Sequence, residues 1–142
     1  MQAQRLVFSL LLAALSFTAE AREINFSAIV TDQDGAPILD CVGAGCTGPP
    51  LTLGSAAMRA LVATFEDDKN LPGEEKFKRG ELALRVYKGG TVDLSAEDVA
   101  LIKKQMAKGY GPIVVLRTWK LIDPESKDQP AQQRMIRRTP AQ

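Results

Sequence analysis

Apolar residues occupy every second position from Ile24 to Val30, a period of two that is typical of a half-buried β-strand. Residues 32–35 carry turn chemistry, with aspartates followed by a glycine. The segment 37–39 is then apolar again, and Pro37 indicates a sheet edge because proline has no N–H to give to the ladder. The pattern therefore predicts an N-terminal β-hairpin.

Three later segments repeat their apolar residues with a helical period, at about 55–65, 74–88 and 95–108. Ser55 is the expected N-cap of the first, and Ser95 with Asp98 resembles a capping box at the third. A glycine on an inward face predicts close packing at Gly80. The predicted inward stripes are Met58, Leu61, Val62 and Phe65, then Phe77, Gly80, Leu84 and Tyr87, then Val99, Ile102, Met106 and Tyr110.

The pattern of the last regular segment, 112–123, is compatible with either a strand or a helix. As a strand, both faces mix apolar and charged residues, whereas as a helix Val115, Trp119 and Ile122 align. Pro112 suits the first position of a helix, and these residues favour a helix with Trp119 in or near the core.

These elements predict an α+β fold in which an N-terminal β-hairpin packs against three or four α-helices. Residues 22–123 form one domain in this interpretation. Residues 66–70 are expected to be a solvated connection, and 124–142 a flexible, disordered tail, since that segment is polar and punctuated by prolines.

An apolar run of fourteen residues, 6–19, follows a single positive charge. A helix of that length spans about 21 Å, less than a hydrocarbon core of about 30 Å. Small residues, Ala19 and Ala21, flank Glu20 as in a signal-peptidase site. Residues 1–21 are predicted to be a secretory signal cleaved after Ala21, which makes the protein secreted or periplasmic with no membrane span in the mature chain. The alternatives are a membrane anchor, or an over-extended start of a cytoplasmic protein.

Composition narrows the functional classes. The 142 residues include 18 Lys and Arg against 17 Asp and Glu, and the net charge of +1 gives no strong nucleic-acid signal. The chain has no histidine, which removes the commonest general base and metal ligand and every His-dependent triad. From the sequence we assign no catalytic residue, no cofactor and no metal site.

Two cysteines, Cys41 and Cys46, lie in a loop rich in glycine and proline. Two thiolates without a histidine do not complete a four-coordinate zinc site, and their spacing is not the C-x-x-C of a redox motif. In an oxidising compartment we predict a local disulfide, contributing about 2 kcal/mol through loop entropy. In the cytosol we expect two free thiols.

Three shorter motifs favour structural interpretations. Residues 43–48 match G-x-G-x-x-G, but Pro49 and Pro50 follow where a dinucleotide site needs a helix. Residues 32–35 resemble the opening of a calcium loop without its remaining ligands, so we interpret them as a turn. Arginines in 134–138 make the tail locally basic. We interpret this as a solvated terminus in preference to a nucleic-acid-binding segment.

The segment 74–123 contains EEKFKRGELA, then DLSAEDVALIKK after a short connector, then G-P-x-V-V-x-x-x-W. In these motifs it resembles small uncharacterised proteins of tailed phages and prophages, and with the predicted hairpin the resemblance covers 22–123. The resemblance implies no catalytic residues. The apolar leader is a departure from it, so either the start is misplaced or the domain works outside the cytoplasm.

Three functions follow as hypotheses. The first is a non-enzymatic phage or prophage module that binds another protein through a helical surface. The second is a small secreted or periplasmic factor with a Cys41–Cys46 disulfide. The third and weakest is a hydrolase that uses paired carboxylates.

Overall fold

The computed structural model describes residues 21–41 and 45–124. The predicted α+β class is confirmed, because two antiparallel strands pack with four α-helices. The predicted signal segment as far as residue 20, including Ala19, and the predicted tail from residue 125 lie outside the described residues. In chain order the elements are β1 (Arg22–Asn25), α1 (Leu53–Val62), a 3₁₀ turn (Glu66–Asp68), α2 (Gly73–Tyr87), β2 (Thr91–Leu94), α3 (Ala96–Gly109) and α4 (Pro112–Ile122).

The two-stranded sheet joins segments that are far apart in the sequence. β1 pairs in antiparallel fashion with β2, and Ile24 lies opposite Val92. Gly89 and Gly90, which follow α2, have φ values of 73° and 74°, a conformation that glycine adopts without steric cost. They turn the chain back alongside β1, where Phe26 N donates to the Gly90 oxygen at 2.8 Å.

The strand that pairs with β1 differs from the one the sequence indicates. The predicted return segment, 37–39, meets the first segment at a single bridge between Thr31 and Pro37. The turn between them forms as expected, since Asp32 Oδ1 accepts a hydrogen bond from Asp34 N at 2.9 Å. A ladder does not extend from this turn, because Val30 N donates to the Leu51 oxygen and the Ile38 oxygen accepts from Leu51 N, so the segment before α1 takes the bonds that would continue it.

α1 is the central helix and packs against both α2 and α3. Its N-cap is Thr52 instead of Ser55, because the Thr52 hydroxyl accepts from Ser55 N at 3.1 Å and Ser55 Oγ accepts from Thr52 N. Of the residues predicted to face inward, Leu61 is buried and Met58 packs partly buried against the core, whereas Val62 is 59% exposed. The buried side consists mainly of small residues: Leu53, Gly54, Ala56, Ala57, Ala60 and Leu61.

The closest approach of α1 to its neighbours is at Gly54. A Cβ added there would lie 2.6 Å from the Val86 oxygen and 3.1 Å from the Phe26 oxygen. The sequence indicates close packing at Gly80, and this prediction is wrong, because a Cβ added there meets nothing within 4 Å. The small residues of α1, and not the glycine of α2, let the helices come together.

α3 and α4 form within one residue of their predicted ends. Ser95 Oγ accepts from Asp98 N at 3.1 Å at the start of α3, and Pro112 opens α4. Trp119 lies at the surface, 40% exposed, instead of in the core. Their buried residues are Ile102, Gln105 and Met106 in α3, and Thr118 and Ile122 in α4.

An ion-pair cluster attaches the end of α4 to β1 and α3. Arg22 Nη1 lies 2.7 Å from Asp123 Oδ1, and Lys103 Nζ lies 3.3 Å from Asp123 Oδ2. Desolvation raises the pKa of the Asp123 carboxyl, but the hydrogen bonds from Arg22 and Lys103 outweigh it, so this pKa is lower than its ordinary value. The carboxylate therefore stays charged and holds three elements together.

Candidate functional site

The structure brings the two cysteines to disulfide distance. The Cα atoms of Cys41 and Cys46 are 5.9 Å apart, within the range that a disulfide requires. Gly48 N donates to Cys41 Sγ at 3.3 Å, and a Cβ added at Gly48 would lie 3.0 Å from the same sulfur. The pair therefore lies in a tightly packed loop where a local bridge can form.

The glycine motif of this loop does not open a helix. Pro50 bridges to Leu39 in extended conformation, and α1 begins only after Thr52. Residues 42–44 lie outside the described residues. A phosphate-binding loop needs backbone N–H groups at the start of a helix, and the described part of this loop does not provide that arrangement.

The acidic motif of residues 32–35 belongs to the turn already described. In addition to Asp34, Asp32 Oδ1 accepts from Ala36 N at 2.9 Å. Arg117 Nη2 donates to the Asp32 carbonyl oxygen at 2.7 Å and attaches the turn to α4. Among residues 21–41 and 45–124, no three histidine, cysteine or acidic side chains converge to hold a metal ion.

The acidic connection after α1 contains a buried ion pair that the sequence did not indicate. Arg79 Nη1 lies 3.1 Å from Asp68 Oδ1, and both side chains are more than nine-tenths buried. Arg79 also donates to the carbonyl oxygen of Leu61 at 3.1 and 2.9 Å and to that of Ala63 at 3.0 Å. The arginine therefore satisfies carbonyls at the end of α1 that have no partner within the helix.

A signal for Arg79 is present in the sequence. It precedes Leu82, Ala83 and Val86 by three, four and seven residues, so all four share one side of α2. The competing line of Phe77, Leu84 and Tyr87 is larger and more apolar, which directed the prediction to the wrong side.

Lys108 connects the Asp68–Arg79 ion pair to α3. Its Nζ hydrogen-bonds Asp67 Oδ2, lies 3.9 Å from Asp68 Oδ1 and sits 5.5 Å from the centre of the Phe65 ring. The hydrogen bond from Lys108 is the main cause that lowers the pKa of Asp67. These carboxylates thus link α1, α2 and α3.

The line predicted to face the core on α2 is instead the most exposed apolar surface of the described chain. Phe77 is 66%, Leu84 65% and Tyr87 57% exposed. Gly80 lies on the same side, at spacings of three, four and three residues along the helix. We call Phe77, Gly80, Leu84 and Tyr87 the α2 face.

Charges are distributed unevenly along the α2 face. Glu74 and Glu75 occupy the first turn of the helix, and Arg85 and Lys88 lie at its end. Two exposed ion pairs flank it, Lys78 with Glu74 at 2.9 Å and Arg85 with Asp98 at 2.7 Å. The start of α2 therefore carries two glutamates, one of them paired with Lys78, and its end is basic.

A cavity opens beside the α2 face at Gly80. Its volume is about 360 Å³, and it lies between the end of α1 and the start of α2. Val62, which is exposed, lines it together with Gly80, while Asp68 and Arg79 line it on the protein side. The missing side chain of Gly80 leaves this depression accessible from the α2 face.

α4 also exposes apolar side chains, but the exposed fraction of each is smaller than on the α2 face. Ile113, Leu116 and Trp119 are 41%, 48% and 40% exposed, and Lys103 Nζ lies 5.4 Å from the centre of the Trp119 ring. The α2 face is therefore the stronger candidate for a functional surface.

Comparison of the chain with known proteins finds no matching family model, curated protein or solved structure. The resemblance to phage proteins consequently stays a prediction. Within the described ranges, no helix combines the length and apolar character needed to cross a membrane.

Proposed function

We propose that this protein is a small non-enzymatic interaction module that binds a partner protein through the α2 face. The observation that carries the proposal is that Phe77, Leu84 and Tyr87, each more than half exposed, share one side of a helix. Burying a large apolar side chain completely contributes about 1.5–3 kcal/mol, so covering these three contributes roughly 3–4 kcal/mol to binding. Contiguous apolar surface of this kind on a small domain marks interaction sites.

The partner that fits this surface is an amphipathic helix lying antiparallel to α2. From Phe77 to Tyr87 the stripe extends about 15 Å along a straight helix, so a second helix can follow it over its whole length. A helix of the usual polarity, acidic at its start and basic at its end, places its basic end beside Glu74 and its acidic end beside Lys88. Both ends of the interface then have complementary charge.

The environment of the shifted carboxyl groups supports a non-enzymatic role. Asp67, Asp68 and Asp123 have lowered pKa values, and each pairs with a lysine or arginine from another element. A general acid near neutral pH needs a carboxyl whose pKa is raised. These groups therefore serve to join elements of the fold.

Photo-crosslinking in the native host tests the proposal. A photoreactive amino acid at Leu84 is expected to give one adduct, with a protein identified by mass spectrometry, whereas the same probe at Lys78 on the flank of α2 gives none. With the purified partner, Leu84→Lys is expected to weaken binding about tenfold or more. Phage and host proteins are the first partners to examine, given the phage resemblance.

The proposal is abandoned if the two probe positions give the same adducts, or if Leu84→Lys leaves the affinity unchanged. Circular dichroism of each variant checks the fold. Both positions are exposed, so we expect no loss of helix.

A second candidate, a small secreted or periplasmic factor, is favoured by the disulfide distance between Cys41 and Cys46. Mass spectrometry of the protein isolated from its host is expected to show a chain that begins at Arg22 and a cysteine pair that resists alkylation unless a reductant is added. A chain that begins at Met1 with two alkylated thiols would show instead that the protein stays in the cytosol. Export and the interaction role are compatible.

A further inference from the structure

We infer that the helix that covers the α2 face is α2 of a second copy of this chain, in an antiparallel homodimer. The inference rests on the proposed function in that it uses the same surface, and it adds the identity of the partner. Three properties of the face support it: its spacing, its shape at Gly80 and the order of its charges.

The spacing of the α2 face is the same when read from either end. Steps of three, four and three residues separate Phe77, Gly80, Leu84 and Tyr87, so the stripe is centred on residue 82. A two-fold axis at that point places Phe77 against Tyr87 of the second copy and Gly80 against Leu84 of the second copy. A two-fold interface requires this self-complementarity.

The shape at Gly80 accommodates the opposing leucine. A Cβ added at Gly80 has no neighbour within 4 Å, and the cavity beside it is lined by Val62. Leu84 of the second copy, which is 65% exposed in one chain, is directed at this depression. The two leucines thus fill equivalent holes on either side of the axis, as knobs do in packed helix pairs.

The charges at the two ends of α2 also fit this pairing. Glu74 of each copy lies beside Lys88 of the other, so the complementary pair occurs twice. Glu81 faces its own equivalent across the axis, and Lys76 of each copy lies level with Lys88 of the other, so the arrangement also contains like-charge neighbours. Exposed pairs contribute little individually, so the charges select the antiparallel orientation while the apolar side chains supply most of the affinity.

The area of the face indicates a reversible dimer. Phe77 and Tyr87, exposed by 66% and 57%, together offer roughly 250 Å² of surface, and Leu84 and Val62 add to it. A standard interface buries about 800 Å² per partner. We therefore expect a dissociation constant in the micromolar range and above, with monomer and dimer both populated at accessible concentrations.

Sedimentation velocity of the purified full chain, over a series of concentrations, tests the dimer. The wild type is expected to shift from monomer to dimer, and Leu84→Lys to weaken association about tenfold or more, with Phe77→Ser as an independent second variant. Glu74→Lys and Lys88→Glu are each expected to weaken it, because both interfacial pairs become like-charged. An equimolar mixture of these two variants restores association, since opposite charges meet again at both ends.

The inference is overturned if the wild type stays monomeric, if its dimer is insensitive to Leu84→Lys and Phe77→Ser, or if the mixture associates no better than its components. A monomeric wild type whose Leu84 probe crosslinks a different protein would contradict the homodimer and leave the proposed function in place. If neither Leu84→Lys nor Phe77→Ser changes the association of the dimer, and the Leu84 probe gives no specific adduct, the homodimer and the proposed function are both contradicted.

Discussion

Replacement of Arg79 by leucine is expected to lower the free energy of unfolding by about 3 kcal/mol. The guanidinium makes an ion pair with Asp68 and donates to the carbonyl oxygens of Leu61 and Ala63. Leucine removes all of these hydrogen bonds and leaves the buried carboxylate without its closest positive charge. Urea denaturation followed by circular dichroism measures the loss at pH 7.

Arg85→Leu is the matched control on the same helix. Arg85 pairs with Asp98 at 2.7 Å, but half of its side chain is exposed, so its loss is expected to cost about 0.5 kcal/mol or less. Equal effects of the two substitutions would show that burial of the Arg79 pair has no energetic consequence.

The difference between Arg79→Leu and the wild type is also expected to depend on pH. Desolvation raises the pKa of Asp68, but the hydrogen bonds from Arg79 and from Phe65 N, with the charges of Arg79 and Lys108, outweigh it, so this pKa is lower than its ordinary value. The folded chain therefore binds the proton less readily than the unfolded chain. The stabilisation is complete above the unfolded pKa and is lost as the pH falls through the lower, folded value.

Unfolding free energies at several pH values from 7 down to about 2.5 test this expectation, since an unperturbed aspartate titrates near 3.9. The gap between wild type and Arg79→Leu should narrow as the pH falls, first when Asp68 becomes neutral in the variant and finally when it becomes neutral in the wild type. A gap that stays constant over the whole range would exclude Asp68 as the cause.

The same substitution at two glycines is expected to have opposite effects. Gly54→Ala should lower the free energy of unfolding by about 1–3 kcal/mol, because the new methyl group overlaps the backbone oxygen of Val86. Gly80→Ala should raise it by about 0.5–1 kcal/mol, because alanine is the better helix former and the new methyl group has open space.

Denaturant unfolding of the two variants at a concentration where the chain is monomeric measures both effects. The two changes are chemically identical and both lie in helices, so helix propensity alone would stabilise both chains. If Gly54→Ala is neutral or stabilising, α1 does not approach α2 as closely as the structure shows.

The positions of the helices were largely predictable because their signals are local. α3 and α4 begin at Ser95 and Pro112 as expected, and α2 was placed within one residue of its observed ends. Caps, glycine stops and a helical period act over one or two turns, so neighbouring residues suffice to define them. The first strand was evident only in part, because the alternation predicts a strand from Ile24 to Val30, whereas β1 ends at Asn25 and a turn follows at 26–27.

The inward faces were less predictable because α1 and α2 each carry two apolar lines. On α2 the larger line, with Phe77 and Leu84, faces solvent, and the smaller one, with Ala83 and Val86, faces the core. The line with small side chains faces the core because it lets the helix axes approach closely and lets Arg79 reach the end of α1. The candidate site was thus present in the sequence as a set of residues but was assigned to the interior.

The sequence by itself determined the α+β class, the ends of α2, α3 and α4 to within one residue, the turn at Asp32 and the absence of histidine. Only the tertiary structure decided that β2 pairs with β1, that Arg79 and Asp68 are buried together, and that the α2 face is exposed. The physical reason is that secondary structure depends on nearby residues, whereas the choice between two apolar faces depends on which one fills the space left by elements far away in the chain.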